Sequence, residues 1–395
     1  MMIKLAQRVQ TVKPSPTLTI VNRANELRAA GRDVVGLGAG EPDFDTPEHI
    51  KEKAIQAIRD GKTKYTAIDG TPDLKQAIIS KFKRENNLDY QPQQILVSCG
   101  GKQSFYNLAQ ALLNPGDEVI IPSPYWVSYP DMVLLAGALP VYIHAKVQQR
   151  FKISPAQLAA AITNKTKLVV LNSPSNPSGM AYNAEELLAL GKVLREYPRI
   201  MIATDDMYEH IRWSAEPFVN ILSVCPELYD RTIVINGVSK AYSMTGWRIG
   251  YAGGPTEVIK AMKKVQSQST SNPASMSQAA AVAALEGPQD FIQEMVRIFK
   301  ERHDYVIERL NAIDGVECLE TDGTFYCFPN FSAAMQSIPG VKTDVEFAEH
   351  LINQSEVALV PGSAFGMPDY ARISIATSQD NLVKGLDRIT KALAN

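Results

Sequence analysis

The chain has 395 residues, 45% of them apolar and 21% charged, enough to bury a large core and unlike a disordered or small stapled chain. Forty basic residues against 42 acidic ones leave a net charge of −2, so there is no basic surplus to neutralise a run of phosphates and a nucleic-acid partner is disfavoured. Four cysteines without a C-x-x-C pair and five histidines without H-E-x-x-H spacing argue against a disulfide framework or a structural metal site.

The amino-terminal stretch carries Lys4, Arg8 and Lys13 and lacks the apolar run of a secretory signal, so the expectation is a cytoplasmic protein. Pro47–Asp60 reads as the first helix, with Ile50, Ala54, Ile55 and Ile58 on one face. Candidate strands follow at Ile95–Ser98, Glu118–Pro122, Pro140–His144, Lys167–Asn172, Ile200–Thr204, Thr232–Asn236 and Arg248–Gly253. Between them Lys102–Leu113, Pro155–Ile162 and Ala184–Glu196 carry apolar residues at helical spacing. Such alternation predicts an α/β fold on a parallel, covered sheet. The apolar run Met132–Ile143 is broken by Gly137 and Pro140 and falls short of the ~20 residues a bilayer crossing needs. After Gly287-Pro288 the pattern changes to a long helix, Asp290–Ala312, short strands near Val316–Glu320, Thr324–Phe328 and Ala371–Ala376, and a closing helix from Gln379. A domain boundary is expected there.

Val34–Glu41, VVGLGAGE, has the look of a dinucleotide loop but fails its spacing. Glu41 or Asp43 stands where G-x-G-x-x-G needs its last glycine, and Pro42 interrupts the expected helix. Its glycines suit a sharp turn or a close ligand approach. Gly100-Gly101-Lys102 sits between a strand and a helix, a position that suits a phosphate on helix-start amides, although no Walker sequence accompanies it and an ordinary turn reads equally well. Lys240 follows a strand among Gly237, Ser239 and Ala241, which puts it at the carboxyl edge of the sheet, where α/β proteins bind ligands. An isolated lysine is otherwise a solvated surface group.

The surrounding sequence gives Lys240 its context. Gly237–Gly250, GVSKAYSMTGWRIG, resembles the lysine signature of class I aminotransferases, fold-type I enzymes dependent on pyridoxal 5′-phosphate. Lys13-Pro14-Ser15 and Gly40–Pro47 resemble their bacterial aspartate aminotransferase subgroup. Thr63-Lys64-Tyr65, Gly100-Gly101-Lys102, Ser123–Trp126, Asn172–Gly179, Asp205–Tyr208 and Arg372–Thr377 follow in the family's order. The resemblance implies a large cofactor-binding domain at 46–288 with a mostly parallel seven-stranded sheet. It also implies a smaller α+β domain at 289–395, to which the arm and segment 1–45 contribute.

The same resemblance assigns roles. Lys240 would hold the cofactor aldehyde covalently and then move a proton. Asp205 would keep the pyridine nitrogen protonated, with Tyr208 and Asn176 donating to the ring's phenolic oxygen. Trp126 would stack on the ring, and Gly100, Gly101, Ser239 and Arg248 would bind the phosphate. Arg372 would grip the substrate's α-carboxylate, since arginine offers a planar two-point donor, with Gly38 and Gly40 lining the same group through their amides. In ARISIAT, Arg372 and Ser374 alternate with Ile373 and Ile375, which points the guanidinium away from the apolar face. Lys102, Ser15 and Thr17 would meet an acidic side chain. Tyr65 would reach the phosphate in a neighbouring subunit, making a homodimer part of the site. Asp206 stands where the subgroup more usually has glutamate, and as a strand neighbour of Asp205 it points to the opposite face, against a shared acid/base pair.

The implied reaction is ping-pong amino transfer from L-aspartate to 2-oxoglutarate, giving oxaloacetate and L-glutamate. Prephenate, aromatic or alanine aminotransferases are the alternatives on the same fold, because specificity rests on a few pocket contacts. A non-catalytic cofactor-binding regulator is the alternative of a different class.

Overall fold

In the computed structural model, residues 3–14 and 16–394 are described. β1 is Val35–Gly36. The central sheet has seven strands: β2 (Ile95–Ser98), β3 (Glu118–Ser123), β4 (Leu139–His144), β5 (Thr166–Asn172), β6 (Met201–Asp205), β7 (Thr232–Gly237) and β8 (Gly250–Gly253), in the order β2-β8-β7-β6-β5-β3-β4. β8 alone runs antiparallel to its neighbours, so the sheet is mostly parallel, as the resemblance implied. The cause is its connection. Between β7 and β8 the chain makes turns and one short 3-10 helix, Thr245–Trp247, instead of the helical crossover a parallel return requires.

Both faces of the sheet are covered, and the strands alternate strictly between two apolar clusters. Val97, Val169, Leu171, Ile202 and Val234 face one cluster with Ile50, Leu74, Ile78 and Leu190. Leu96, Leu168, Val170, Ala203 and Ile233 face the other with Phe105, Leu108, Ile259 and Met262. This two-sided burial explains why the strands read as near-continuous apolar runs.

A further cluster gathers Met295, Phe299, Val306 and Leu310 of the helix Asp290–Asn311 with Leu382, Leu386 and Ile389 of the helix Gln379–Leu393. Five short strands accompany it: β1, β9 (Tyr326–Cys327), β10 (Val357–Ala358), β11 (Val360–Pro361) and β12 (Ala371–Ser374). β1 pairs with β10, and β12 lies antiparallel between β11 and β9. The expected strand at Val316–Glu320 does not form; only Glu317 bridges to Asn330. The backbone there is satisfied locally instead, with Cys318 N donating to Asn311 Oδ1 (2.8 Å) and Asn311 Nδ2 donating back to the Cys318 carbonyl (3.0 Å).

Several helices escaped the periodicity reading, among them Pro16–Ala29, Pro72–Asn86, Ser128–Leu135, Thr256–Ser267, Ser275–Glu286 and Asp344–Gln354. Pro72–Asn86 nevertheless carries a plain start signal, Thr71 accepting from Leu74 N with proline in the first turn. Among the described residues no helix is long and apolar enough to cross a membrane.

Candidate active site

A cavity of about 410 Å³ opens at the carboxyl ends of β5, β6 and β7. Each strand delivers a residue as it ends: Asn172 from β5, Asp205 from β6, and Ser239 and Lys240 just beyond β7. The helix Gly101–Leu112 begins at the wall with Gly101 and Lys102, and the turn after β3 adds Trp126 and Ser128. Across the cavity stand Gly40, Glu41, Tyr326 and Arg372, carried by the β1 extension, β9 and β12.

Lys240 Nζ lies 2.5 Å from the Gly40 carbonyl, to which it donates. Burial, then the Arg372 cation, lowers its amine from the ordinary lysine value to about 8, so a neutral, nucleophilic form is accessible near physiological pH. Asp205 accepts from the Tyr129 hydroxyl at 2.5 Å and from Met207 N at 3.3 Å. Burial holds its carboxyl above the usual range, while Tyr129 and Lys240 work to lower it. Asp206 indeed turns away, bonding Thr204 and Asn220 behind the strand.

Arg372 is 2% exposed. Its Nη1 donates to Asn176 Oδ1 (2.9 Å) and its Nη2 to the Gly38 carbonyl (3.0 Å). Gly38 therefore stands behind the guanidinium instead of lining the cavity, and the contact it makes is through its carbonyl. The Gly40 contact with Lys240 is likewise through a carbonyl.

Arg248, in the left-handed region at φ 56°, donates to the Thr245 carbonyl (2.7 Å) and to the Cys99 carbonyl (3.1 Å). Beside it the backbone is packed so closely that a Cβ at Gly100 would fall 2.1 Å from Arg248 Nη2, and one at Gly250 only 2.2 Å from Gly101 N. Lys102 places its ammonium 5.3 Å from the Trp126 ring centroid, and burial, then the Arg248 cation, lowers its pKa.

Lys240, Asp205, Tyr208, Asn176, Trp126, Gly101, Ser239, Arg248, Gly40, Arg372, Lys102 and Thr17 thus meet around one space. Gly100 lies just behind Gly101, and Tyr65 stands outside the cavity, 91% exposed. Ser15 lies outside the described residues. Sequence reasoning missed Tyr129, Asn172, Glu41, Ser128 and Tyr326. Tyr129 had a legible signal, an aromatic one helical turn past Trp126, whereas Tyr326 is brought in only by strand pairing.

The donor set fits a phosphorylated pyridine aldehyde. An amine with a lowered pKa suits the aldehyde, a buried carboxylate the ring nitrogen, and a fixed guanidinium with amides at a helix start the phosphate.

These features define a transaminase site, and the chain belongs to the class I and II aminotransferases, whose family model matches residues 32–389. It is 57% identical to the aspartate/prephenate aminotransferase of Nitrosomonas europaea, over 99% of this chain and 100% of that one. It is 51% identical to the aspartate aminotransferase of Geobacillus stearothermophilus, over 98% of each. Among solved structures, the aspartate aminotransferase of Rhizobium meliloti superposes with a TM-score of 0.96 at 49% identity, covering 100% and 99% of the two chains. That of Thermus thermophilus with maleate gives 0.93 at 43%, covering 99% and 100%.

Proposed function

We propose that the protein is a pyridoxal 5′-phosphate-dependent aminotransferase that moves the amino group of L-aspartate to 2-oxoglutarate. The observation carrying this reading is one amine of lowered pKa, Lys240, facing a buried carboxylate, Asp205, and a buried guanidinium, Arg372, across a single cavity. When bound, the cofactor supplies an aldehyde and an electron sink.

The protein's own groups do the rest. Lys240 Nζ would hold the cofactor aldehyde covalently and, once displaced by the substrate amine, would move the proton at the substrate α-carbon. Asp205, oriented by Tyr129, keeps the pyridine nitrogen protonated, and Tyr208 with Asn176 donates to the phenolic oxygen. Trp126 covers the ring, and Gly100, Gly101, Ser239 and Arg248 hold the phosphate. Arg372 binds the α-carboxylate in two-point fashion and leaves Lys102, Thr17 and Ser15 for the distal carboxylate. Tyr65, exposed in one chain, would serve the site of a second subunit, so the working form is a homodimer. We further assign the protein to the cytoplasm, with a large domain at 46–288 and a small one formed by 1–45 and 289–395.

Borohydride reduction followed by peptide mapping tests the covalent link: label on Lys240 supports the reading, and label elsewhere or nowhere refutes it. A second reading, prephenate as amino acceptor, is favoured by the naming of the Nitrosomonas europaea relative. One panel decides, with aspartate, alanine and aromatic donors against 2-oxoglutarate and prephenate.

A further inference from the structure

Tyr326 has no part in the roles above, yet it touches two of them. It opens β9 and pairs with Ser374 of β12, two residues from Arg372. Its ring therefore lies under the guanidinium, 4.3 Å from ring centroid to Cζ, while Phe365 approaches Arg372 at 5.1 Å. Asn176 and Gly38 fix Arg372 through hydrogen bonds, and the Tyr326 ring fixes it through contact with its flat face. Arg372 Nε, buried, has no hydrogen-bond partner among the described residues, so at that end the group is held by packing and not by a bond.

The Tyr326 hydroxyl lies 3.1 Å from the Tyr208 hydroxyl, and a Cβ at Gly40 would sit 3.6 Å from it and 3.9 Å from Arg372 Nη2, so hydroxyl and guanidinium border the same space. Among the described residues neither hydroxyl has another hydrogen bond. Burial raises both phenols above the ordinary tyrosine value, so both keep their protons at neutral pH. The charged and titratable groups acting on the pair are Arg372, Glu41 and Asp205, and Lys240 Nζ lies 6.0 Å from the Tyr208 ring centroid. Two hydroxyls joined by one bond have one proton between them and one left over for the cavity. An acceptor beside Tyr208 takes a hydrogen bond from the Tyr208 hydroxyl, and Tyr326 then donates to Tyr208. A carboxylate seated on Arg372 beside Tyr326 draws the pair the opposite way.

We infer that Tyr326 is a positioning residue that seats Arg372 with its ring and, through its hydroxyl, reports carboxylate occupancy of Arg372 to Tyr208. This rests on the functional reading above. It makes the substrate's carboxylate compete, through one shared proton, with the group that Tyr208 stabilises, so the state of the Lys240 link responds to binding before any bond is broken.

The test titrates the cofactor absorbance band of holoenzyme against pH, with and without maleate, a dicarboxylate lacking an amino group, and measures maleate binding by calorimetry. Tyr326→Phe keeps the ring and removes the hydroxyl. Its midpoint without maleate is expected to rise by about half a pH unit, since Tyr208 loses its donor, on the scale of one neutral hydrogen bond. Its maleate-induced shift should be less than half that of the parent protein, with maleate affinity changed less than threefold. Tyr326→Leu, lacking the ring too, should bind maleate at least tenfold more weakly. A Tyr326→Phe variant with the parent's midpoint and maleate shift overturns the inference. So does a Tyr326→Leu variant with the parent's affinity. A parent protein with no pH-dependent band overturns the functional reading itself, and this inference with it.

Discussion

Lys81 offers a test of how the catalytic turn is supported from behind. This lysine, 0% exposed on the helix Pro72–Asn86, donates to Glu209 and to Asn86 Oδ1 (2.8 Å) and lies 3.4 Å from Glu85. Glu209 also accepts from Asn86 Nδ2 (2.8 Å) and Asn236 Nδ2 (2.6 Å), so it joins the turn bearing Tyr208 to the strand leading to Lys240. Glu85, Glu209 and His210 have ligand atoms close enough together to hold a metal ion, but the Lys81 ammonium already supplies the cation. Lys81→Met strands the Glu209 charge in the interior, which costs about 3–5 kcal/mol. The double variant Lys81→Met/Glu209→Gln removes the charge as well and keeps an amide facing Asn86 and Asn236, so it should lie within about 2 kcal/mol of the parent.

The pH dependence changes sign. In the parent, burial pushes Glu209 up, but the Lys81 and His210 charges and the bonds from Lys81 and Asn86 outweigh it and hold the carboxyl below its ordinary value. Its contribution is then present above the unfolded-state pKa and lost only as pH falls through the folded one. Without Lys81, burial outweighs the His210 charge and the Asn86 bond that remain and the folded pKa moves above the unfolded value, so stability is lost as pH rises through it. Urea denaturation followed by circular dichroism at pH 6 and pH 8 should therefore show the single variant losing stability relative to the parent as pH rises. A single variant within about 1 kcal/mol of the parent, or a double variant as weak as the single, refutes the reasoning.

Lys240→Ala should abolish both the covalent cofactor band and transamination; activity retained in that variant would reassign the nucleophile. Arg372→Lys loses the two-point geometry toward Asn176 and Gly38, so KM should rise for aspartate and alanine alike, at least tenfold; a loss confined to dicarboxylates would place Arg372 in the side-chain pocket. Gly250→Ala puts a methyl 2.2 Å from Gly101 N, so cofactor affinity measured by equilibrium dialysis should fall at least tenfold, and unchanged affinity would detach this contact from the phosphate loop.

What the sequence disclosed follows the range of the interactions involved. The strands of the central sheet and the segment around Lys240 were legible because their information is local, in β-branched runs and a compact glycine-flanked motif. Arg372 was legible from the resemblance, and its alternation with Ile373 and Ile375 added only the face it takes. The reversal of β8 was not, since a strand's direction depends on how the preceding loop packs. Tyr326 reaches the cavity only through pairing between segments distant in the chain, and no pattern in its own neighbourhood marks it, whereas Glu41 lay within the marked Gly40–Pro47 segment and was passed over. Tyr65 shows the converse: its motif was legible, yet the side chain stands outside the cavity of its own chain.

The acceptor opposite the Lys240 amine belongs to the segment that leaves β1, and β1 is hydrogen-bonded to β10 in the carboxyl-terminal part of the chain. The amine is thus anchored across the cleft to the far wall and not to its own. Drawing that wall away takes with it the Gly40 oxygen, but also the Arg372 cation and the burial that together hold the amine near 8, so widening the cleft favours the ammonium and narrowing it favours the neutral amine. The mouth of the site and the basicity at its floor are, through that wall, a single mechanical variable.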